Sequence, residues 1–199
     1  MNFLMHIYLS KGYPREMVGN FLGDFVKGNI QDISINDRYL KLGIILHRKI
    51  DSFSEKNDIF KKSKSRFPKE LYRFSGILVD VVYDHFLAKN FKTIENQELD
   101  IFLQDFYRNL SKVRIDTFIK KEKILLIKRI VSENWLYRYK DKFFIQECIK
   151  GLSKRIKREN RLKDSILYLD KYYSLLERDF FIFLPTVQKF VAQTKIDLL

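Results

Sequence analysis

Two short stretches carry most of the chemistry this sequence can offer: Asp80-Val81-Val82-Tyr83-Asp84-His85-Phe86 and His47-Arg48-Lys49-Ile50-Asp51. On an α-helix residues four apart share a face, so Asp80 lies over Asp84 and His47 over Asp51, and each pair could grip one metal ion. His85 follows Asp84 directly and is turned about 100° round the same helix. The chain has three histidines, His6, His47 and His85, all in its first half. Carboxylates suit a hard divalent ion such as Mn²⁺ or Mg²⁺, and imidazole suits Mn²⁺ better than Mg²⁺. With Asp24 added, the set His6, His47, Asp51, Asp80, Asp84 and His85 exceeds what one ion needs, so some members would be supporting or catalytic groups. The alternative is that these are surface side chains, or groups satisfied by Arg48, Lys49, Lys89 or the backbone.

Helices must position these residues. Seven glycines and three prolines in 199 residues, with apolar residues recurring three and four apart, read as helix almost throughout and give no strand pair. The spacing predicts a short buried helix from Asn2 to Ser10 that carries His6 inside. A second runs from Pro14 to Lys27, with Asn20 and Asp24 four apart, and Gly28-Asn29 as its stop. A third is capped by Asn36 and has Asp51 near its end. A long one from Lys69 to Asn90 presents Leu71, Phe74, Leu78, Val82 and Phe86 to the interior. It carries Asp80, Asp84 and His85 near its middle, and ionisable groups on so apolar a helix are costly to bury unless paired or bound to a metal. Further helices are expected over Leu99 to Leu110, Ile124 to Val131, the segment after Trp135, and Ser165 to Gln193 with a kink or junction at Pro185.

Length and composition fit one helical domain over residues 1–199, since 46% hydrophobic and 32% charged residues can fold and stay soluble. Cys148 is the single cysteine, so no internal disulfide forms; with no bilayer-spanning run and no leader pattern, the cytoplasm is the expected location. The formal charge of +13 predicts attraction to a polyanion, whether nucleic acid, an anionic membrane surface or an acidic protein. Basic runs at Lys61 to Lys69, Lys120 to Lys128 and Lys150 to Lys163 come with no base-reading motif. No Gly-rich phosphate loop, Cys/His zinc spacing or serine elbow occurs, which argues against a P-loop enzyme, a zinc finger and an α/β-hydrolase.

Several separated blocks together resemble the acyl carrier protein phosphodiesterase (acyl carrier protein hydrolase) family. They are Met1-Asn2-Phe3-Leu4-Met5-His6, the run Gly19-Asn20-Phe21-Leu22-Gly23-Asp24-Phe25-Val26-Lys27-Gly28-Asn29, His47-Arg48-Lys49-Ile50-Asp51, and Asp80 through Leu87. The likeness continues through Trp135-Leu136-Tyr137-Arg138-Tyr139-Lys140-Asp141 and the Gly151 to Arg161 region, so it covers nearly the whole chain. It implies an all-α, single-domain helical bundle distantly related to the HD-type metal-dependent phosphohydrolases. The implied reaction removes 4′-phosphopantetheine from holo-acyl carrier protein with a divalent cation, typically Mn²⁺. The adjacent pair here is Asp84-His85 and not His-Asp, a departure from an ordinary HD signature.

On that resemblance we expect His47, Asp51, Asp80 and Asp84 around the metal, and Asp24 as a further ligand or base. His6 or His85 would protonate the departing serine oxygen or hold the phosphate, and Arg48 and Lys49 would touch the phosphate. The expected partner is acyl carrier protein, a small acidic protein, with no nucleic acid bound and no stable membrane insertion. Two rivals remain: a phosphohydrolase of the same broad type acting on a nucleotide or another small phosphodiester, and a non-enzymatic helical protein that binds nucleic acid or a membrane through its basic strips.

Overall fold

The computed structural model describes residues 3–33, 35–156 and 160–198. Met1 and Asn2 of the first block, and residues 157–159 of the last basic run, lie outside the described residues. Ten α-helices are present among the described residues, and no strand is. They are α1 (Phe3–Leu9), α2 (Pro14–Leu22), α3 (Arg38–Lys56), α4 (Asp58–Lys64), α5 (Tyr72–Glu95), α6 (Leu99–Leu110), α7 (Lys121–Ser132), α8 (Trp135–Arg138), α9 (Lys142–Arg155) and α10 (Ser165–Leu198). The expectation of an all-α bundle holds. No helix among the described residues is long and apolar enough to cross a membrane.

The shortest helices show how burial replaces local propensity. α1 has only seven residues, too few to be stable alone, and Leu4 to Leu9 are all buried. A helix sunk in the core has no water for its first N–H groups, so they need a protein acceptor. Asp84 of α5 supplies it: its two carboxylate oxygens accept from the backbone N–H of Leu4 and Met5 at 2.8 and 2.9 Å. At the other end of α1, the Tyr8 hydroxyl donates to Glu95 at 2.6 Å and accepts from Gln188 of α10. α5 also packs against α4, α9 and α10, and its buried face is filled by Leu78, Val82, Phe86 and Phe91.

α10 is held along its length. Buried Asp179 accepts from Arg66 Nε at 2.8 Å and from Ser63 Oγ at 3.1 Å, which ties it to the end of α4. Next to this ion pair, Phe180 and Phe183 meet Tyr83 with ring centroids 5.6 and 5.4 Å apart, and Phe183 meets Phe60 at 5.9 Å. α10 runs on through Pro185 to Leu198 instead of ending near Gln193.

The closest approach in the fold is α2 on α3. A Cβ built on Gly19 would lie 2.2 Å from the Leu40 carbonyl oxygen, and one on Gly43 would lie 2.3 Å from the Glu16 carbonyl oxygen and 2.8 Å from the Asn20 nitrogen. Glycine is required at both because the obstacles are backbone, which cannot swing aside. α2 stops at Leu22, not at Lys27, because the amides of Phe25 and Val26 both turn back to the Leu22 carbonyl. Asp24 is therefore in the turn that follows. Gly28 takes the positive φ of +88° expected of it. Asp37, not Asn36, caps α3 by accepting from Leu40 N–H at 3.0 Å. α5 starts at Tyr72 after a 3₁₀ turn and runs five residues beyond Asn90, ending at left-handed Asn96.

Two alanine substitutions separate these roles. Gly43→Ala should lower unfolding stability by about 2–3 kcal/mol by forcing two backbones apart. Gly151→Ala, in α9 with open space where the methyl would go, should raise it by about 0.5–1 kcal/mol. Denaturant titration of both variants measures the contrast.

Candidate active site

Three of the expected residues meet between α1 and α3. One ligand atom each from His6 of α1, His47 of α3 and Asp51 of α3 lies within 4.8 Å of the other two. His6 Nε2 is 3.2 Å from Asp51 Oδ1, and His47 Nε2 is 3.2 Å from Asp51 Oδ2. Asp24, in the turn after α2, adds a fourth group: its Oδ1 is 3.8 Å from His47 Nε2. The imidazoles stack on each other, with centroids 3.8 Å apart and planes 21° from parallel. Both rings are buried, whereas the Asp24 and Asp51 side chains are 37% and 41% exposed, so the cluster has a dry floor and an open rim.

Local sequence explains the assembly. The i,i+4 spacing puts His47 and Asp51 on one face of α3. Gly23 makes room for the imidazole, since a Cβ there would sit 2.2 Å from Cγ of the His47 ring. Asn20, one turn before Asp24 and fully buried, contacts both histidines: its Oδ1 is 2.8 Å from His6 Nδ1, and its backbone oxygen is 2.8 Å from His47 Nδ1. Sequence reasoning placed Asn20 four residues from Asp24 but gave it no task. Its i,i+4 relation to Asp24 was the available signal.

The other expected residues are distributed differently. Asp80 is half-buried on α5, and burial, aided by the charges of Asp51 and Asp24, raises its carboxyl to about 6. The field of the cluster thus reaches Asp80. Asp84 is not brought to the cluster: it is spent on the N-terminus of α1, and burial raises it to about 8 against the pull of those two N–H groups. Nor is His85, whose Nδ1 donates to the Tyr139 carbonyl at 2.7 Å while Nε2 accepts from the Tyr173 hydroxyl at 2.6 Å, joining α5 to α8 and α10. Arg48 donates to the Val26 carbonyl at 3.4 Å, bracing the turn after Asp24. Lys49 is exposed and lies about 200° round α3 from both His47 and Asp51, so it points away from them.

Charge is unevenly shared within the cluster. Burial, then the neighbouring His47, pushes His6 down to about 3. Burial alone would raise Asp51, but the two imidazoles outweigh it and hold its carboxyl well below the usual range. Asp24 moves the other way: although more than a third of its side chain meets solvent, its carboxyl is hemmed in enough that burial raises it, opposed by His47.

The donor set fits a divalent cation. Two ligands about 2.1 Å from one ion and at right angles lie about 3 Å apart, close to the 3.2 Å separations on either side of Asp51. Two nitrogens and a carboxylate, with a second carboxylate at the rim, suit Mn²⁺ better than Mg²⁺. His6, His47 and Asp51 would hold the ion, and Asp24 stands next to it.

The depressed His6 also fixes the sign of a pH effect. Its folded value, about 3, lies below an unfolded value of about 6.5, so between the two the unfolded chain binds the extra proton. The stability this provides is complete above pH 6.5 or so and is lost as pH falls toward 3. Denaturant midpoints measured in chelator from pH 7 down to pH 3 should therefore fall for the native chain relative to His6→Gln, a comparison that cancels the raised carboxyls of Asp80 and Asp84, whose contributions run the other way.

A family model for acyl carrier protein phosphodiesterase matches residues 1–187. A protein named acyl carrier protein phosphodiesterase from Escherichia coli O6:H1 is 33% identical over 191 residues, covering 95% of this chain and 96% of its own. Another of that name, from Escherichia coli O157:H7, is 34% identical over 187 residues, covering 93% and 94%. No solved structure matches the chain. The matches span both the cluster and the helices that assemble it, and the chain belongs to the acyl carrier protein phosphodiesterase family.

Proposed function

We propose that this protein hydrolyses the phosphodiester that joins 4′-phosphopantetheine to a serine of holo-acyl carrier protein, using a divalent cation held by His6, His47 and Asp51. The observation that carries the reading is the convergence of two imidazole nitrogens on the two oxygens of one partly exposed carboxylate, in a chain of this family. A bound divalent cation supplies positive charge for the phosphoryl oxygens and makes a nearby water more acidic.

The remaining steps belong to the chain's own residues. Asp24, at the rim and with a raised carboxyl, takes a proton from the attacking water. The water oxygen bonds to phosphorus, the bond from phosphorus to the serine oxygen breaks, and the phosphate leaves on the pantetheine. The serine oxygen needs a proton, and Asp80, at about 6, can carry one near neutral pH. His6 has none to spare at that pH and serves as a donor atom only. Its buried ring and the stacked His47 keep water off the inner side of the site. A chain of net charge +13 would attract an acidic carrier protein, and that attraction would weaken with salt.

Mass spectrometry of holo-acyl carrier protein after incubation with enzyme and Mn²⁺ tests the reading. The expected result is loss of the prosthetic arm, abolished by chelator and slowed at least ~100-fold in Asp51→Asn. An intact arm together with turnover of a nucleotide phosphodiester would move the same site to a different substrate. Equal activity with and without chelator would remove the cation.

A further inference from the structure

The two histidines share one neighbour, and that neighbour decides where their protons sit. A neutral imidazole has one N–H and one lone pair, and a metal takes the lone pair. His47 Nδ1 lies 2.8 Å from the Asn20 backbone oxygen, which can only accept, so Nδ1 carries the proton and Nε2 is the nitrogen turned toward Asp51. His6 Nδ1 lies 2.8 Å from Asn20 Oδ1, so once a cation takes the Nε2 lone pair beside Asp51 the remaining proton sits on Nδ1, where this oxygen accepts it. The same amide has a second contact: Asn20 Nδ2 donates to Ser10 Oγ at 2.8 Å, and both residues are fully buried. Turned over, the amide would present its NH₂ to His6 Nδ1. The His6 proton would then move to Nε2, where it would donate to Asp51 and close the site to a cation.

We propose that Asn20 is the positioning residue that readies both imidazoles for a divalent cation, fixing His47 through its backbone carbonyl and His6 through its side-chain carbonyl. The proposal rests on the cation-dependent reading above and deepens it. It separates the two histidines experimentally, because a side-chain substitution at position 20 removes the His6 contact and leaves the His47 contact in place. His47 is thus an internal control within the same molecule.

The test uses the full chain with ¹⁵N-labelled histidine. Two-bond ¹⁵N–¹H correlation spectra recorded with saturating Zn²⁺, a diamagnetic ion, report which ring nitrogen is protonated, and electron paramagnetic resonance of free Mn²⁺ reports affinity. The native chain should show the Nδ1–H form at both His6 and His47. Asn20→Leu should lose that preference at His6 alone and weaken Mn²⁺ binding by about 10–100-fold, the usual cost of removing a group that orients a ligand. Asn20→Asp keeps an oxygen against His6 Nδ1 and should keep both tautomers. Ser10→Ala, which removes the amide's second partner, should loosen the contact to His6 and lower affinity by less, and it serves as the decisive variant if Asn20→Leu does not fold. A native His6 protonated on Nε2 would overturn the proposal. So would an Asn20→Leu chain whose His6 tautomer is unchanged and whose Mn²⁺ affinity stays within about twofold of native. If the native chain binds no Mn²⁺ at all, the cation-dependent reading fails, and spectra of the metal-free chain, in which Asn20→Leu should alter His6 and spare His47, then decide the role of Asn20.

Discussion

Everything at the site depends on how closely α2 lies on α3. Gly19 and Gly43 bring the two backbones together where any side chain would strike a carbonyl, and Gly23 leaves the space that the His47 ring fills. This approach places the Asn20 backbone oxygen within hydrogen-bond distance of a ring on another helix. A contact between a main-chain atom and an imidazole cannot be made by a longer side chain reaching across a wider gap. The three glycines thus act on the chemistry through distance alone, and the turn that delivers Asp24 starts where their contact ends.

The second constraint is charge. Two buried rings stacked 3.8 Å apart cannot both become imidazolium without strong repulsion, and burial already keeps His6 neutral over the physiological range. Asp51 beside them stays ionised, while Asp24 and Asp80 are both pushed toward the protonated form. One carboxylate is therefore committed to a positive centre and two are left with intermediate proton affinity. That division gives the cluster one fixed anion and neighbours able to exchange protons. It arises from ordinary differences in burial and contact, without any unusual residue.

Much of this was legible in the sequence. The spacing of apolar residues gave the all-α class, and α6 begins and ends where its pattern does, at Leu99 and Leu110. The four-residue step from His47 to Asp51 announced a shared face, and the apolar surroundings of His6 announced its burial. What could not be read was the pairing between helices. Nothing local to Asn20 says that two histidines, 14 residues before it and 27 after it, will turn their Nδ1 atoms to it. The ends of α2 and α3 were misplaced for a related reason. A turn that folds back on the Leu22 carbonyl and a cap from Asp37 instead of Asn36 are settled by a hydrogen bond or two each, below what apolar spacing resolves.

Asp84 shows best why identical spacing can mean different things. Asp80 and Asp84 stand four apart on α5, as a ligand pair would, yet only Asp80 feels the charge of the cluster. The difference comes from α1. A seven-residue helix buried along nearly its whole length leaves its first N–H groups without solvent, and the cost of leaving two such donors unmet is about 1–3 kcal/mol each. A carboxylate meets both at once and also faces the positive end of the helix dipole. Asp84 is therefore claimed by α1 and kept from the site, but it is not irrelevant to it. The amides it holds are those of Leu4 and Met5, and the next residue is His6. A residue expected to bind a cation thus acts one step back, by fixing the helix that carries the His6 ring.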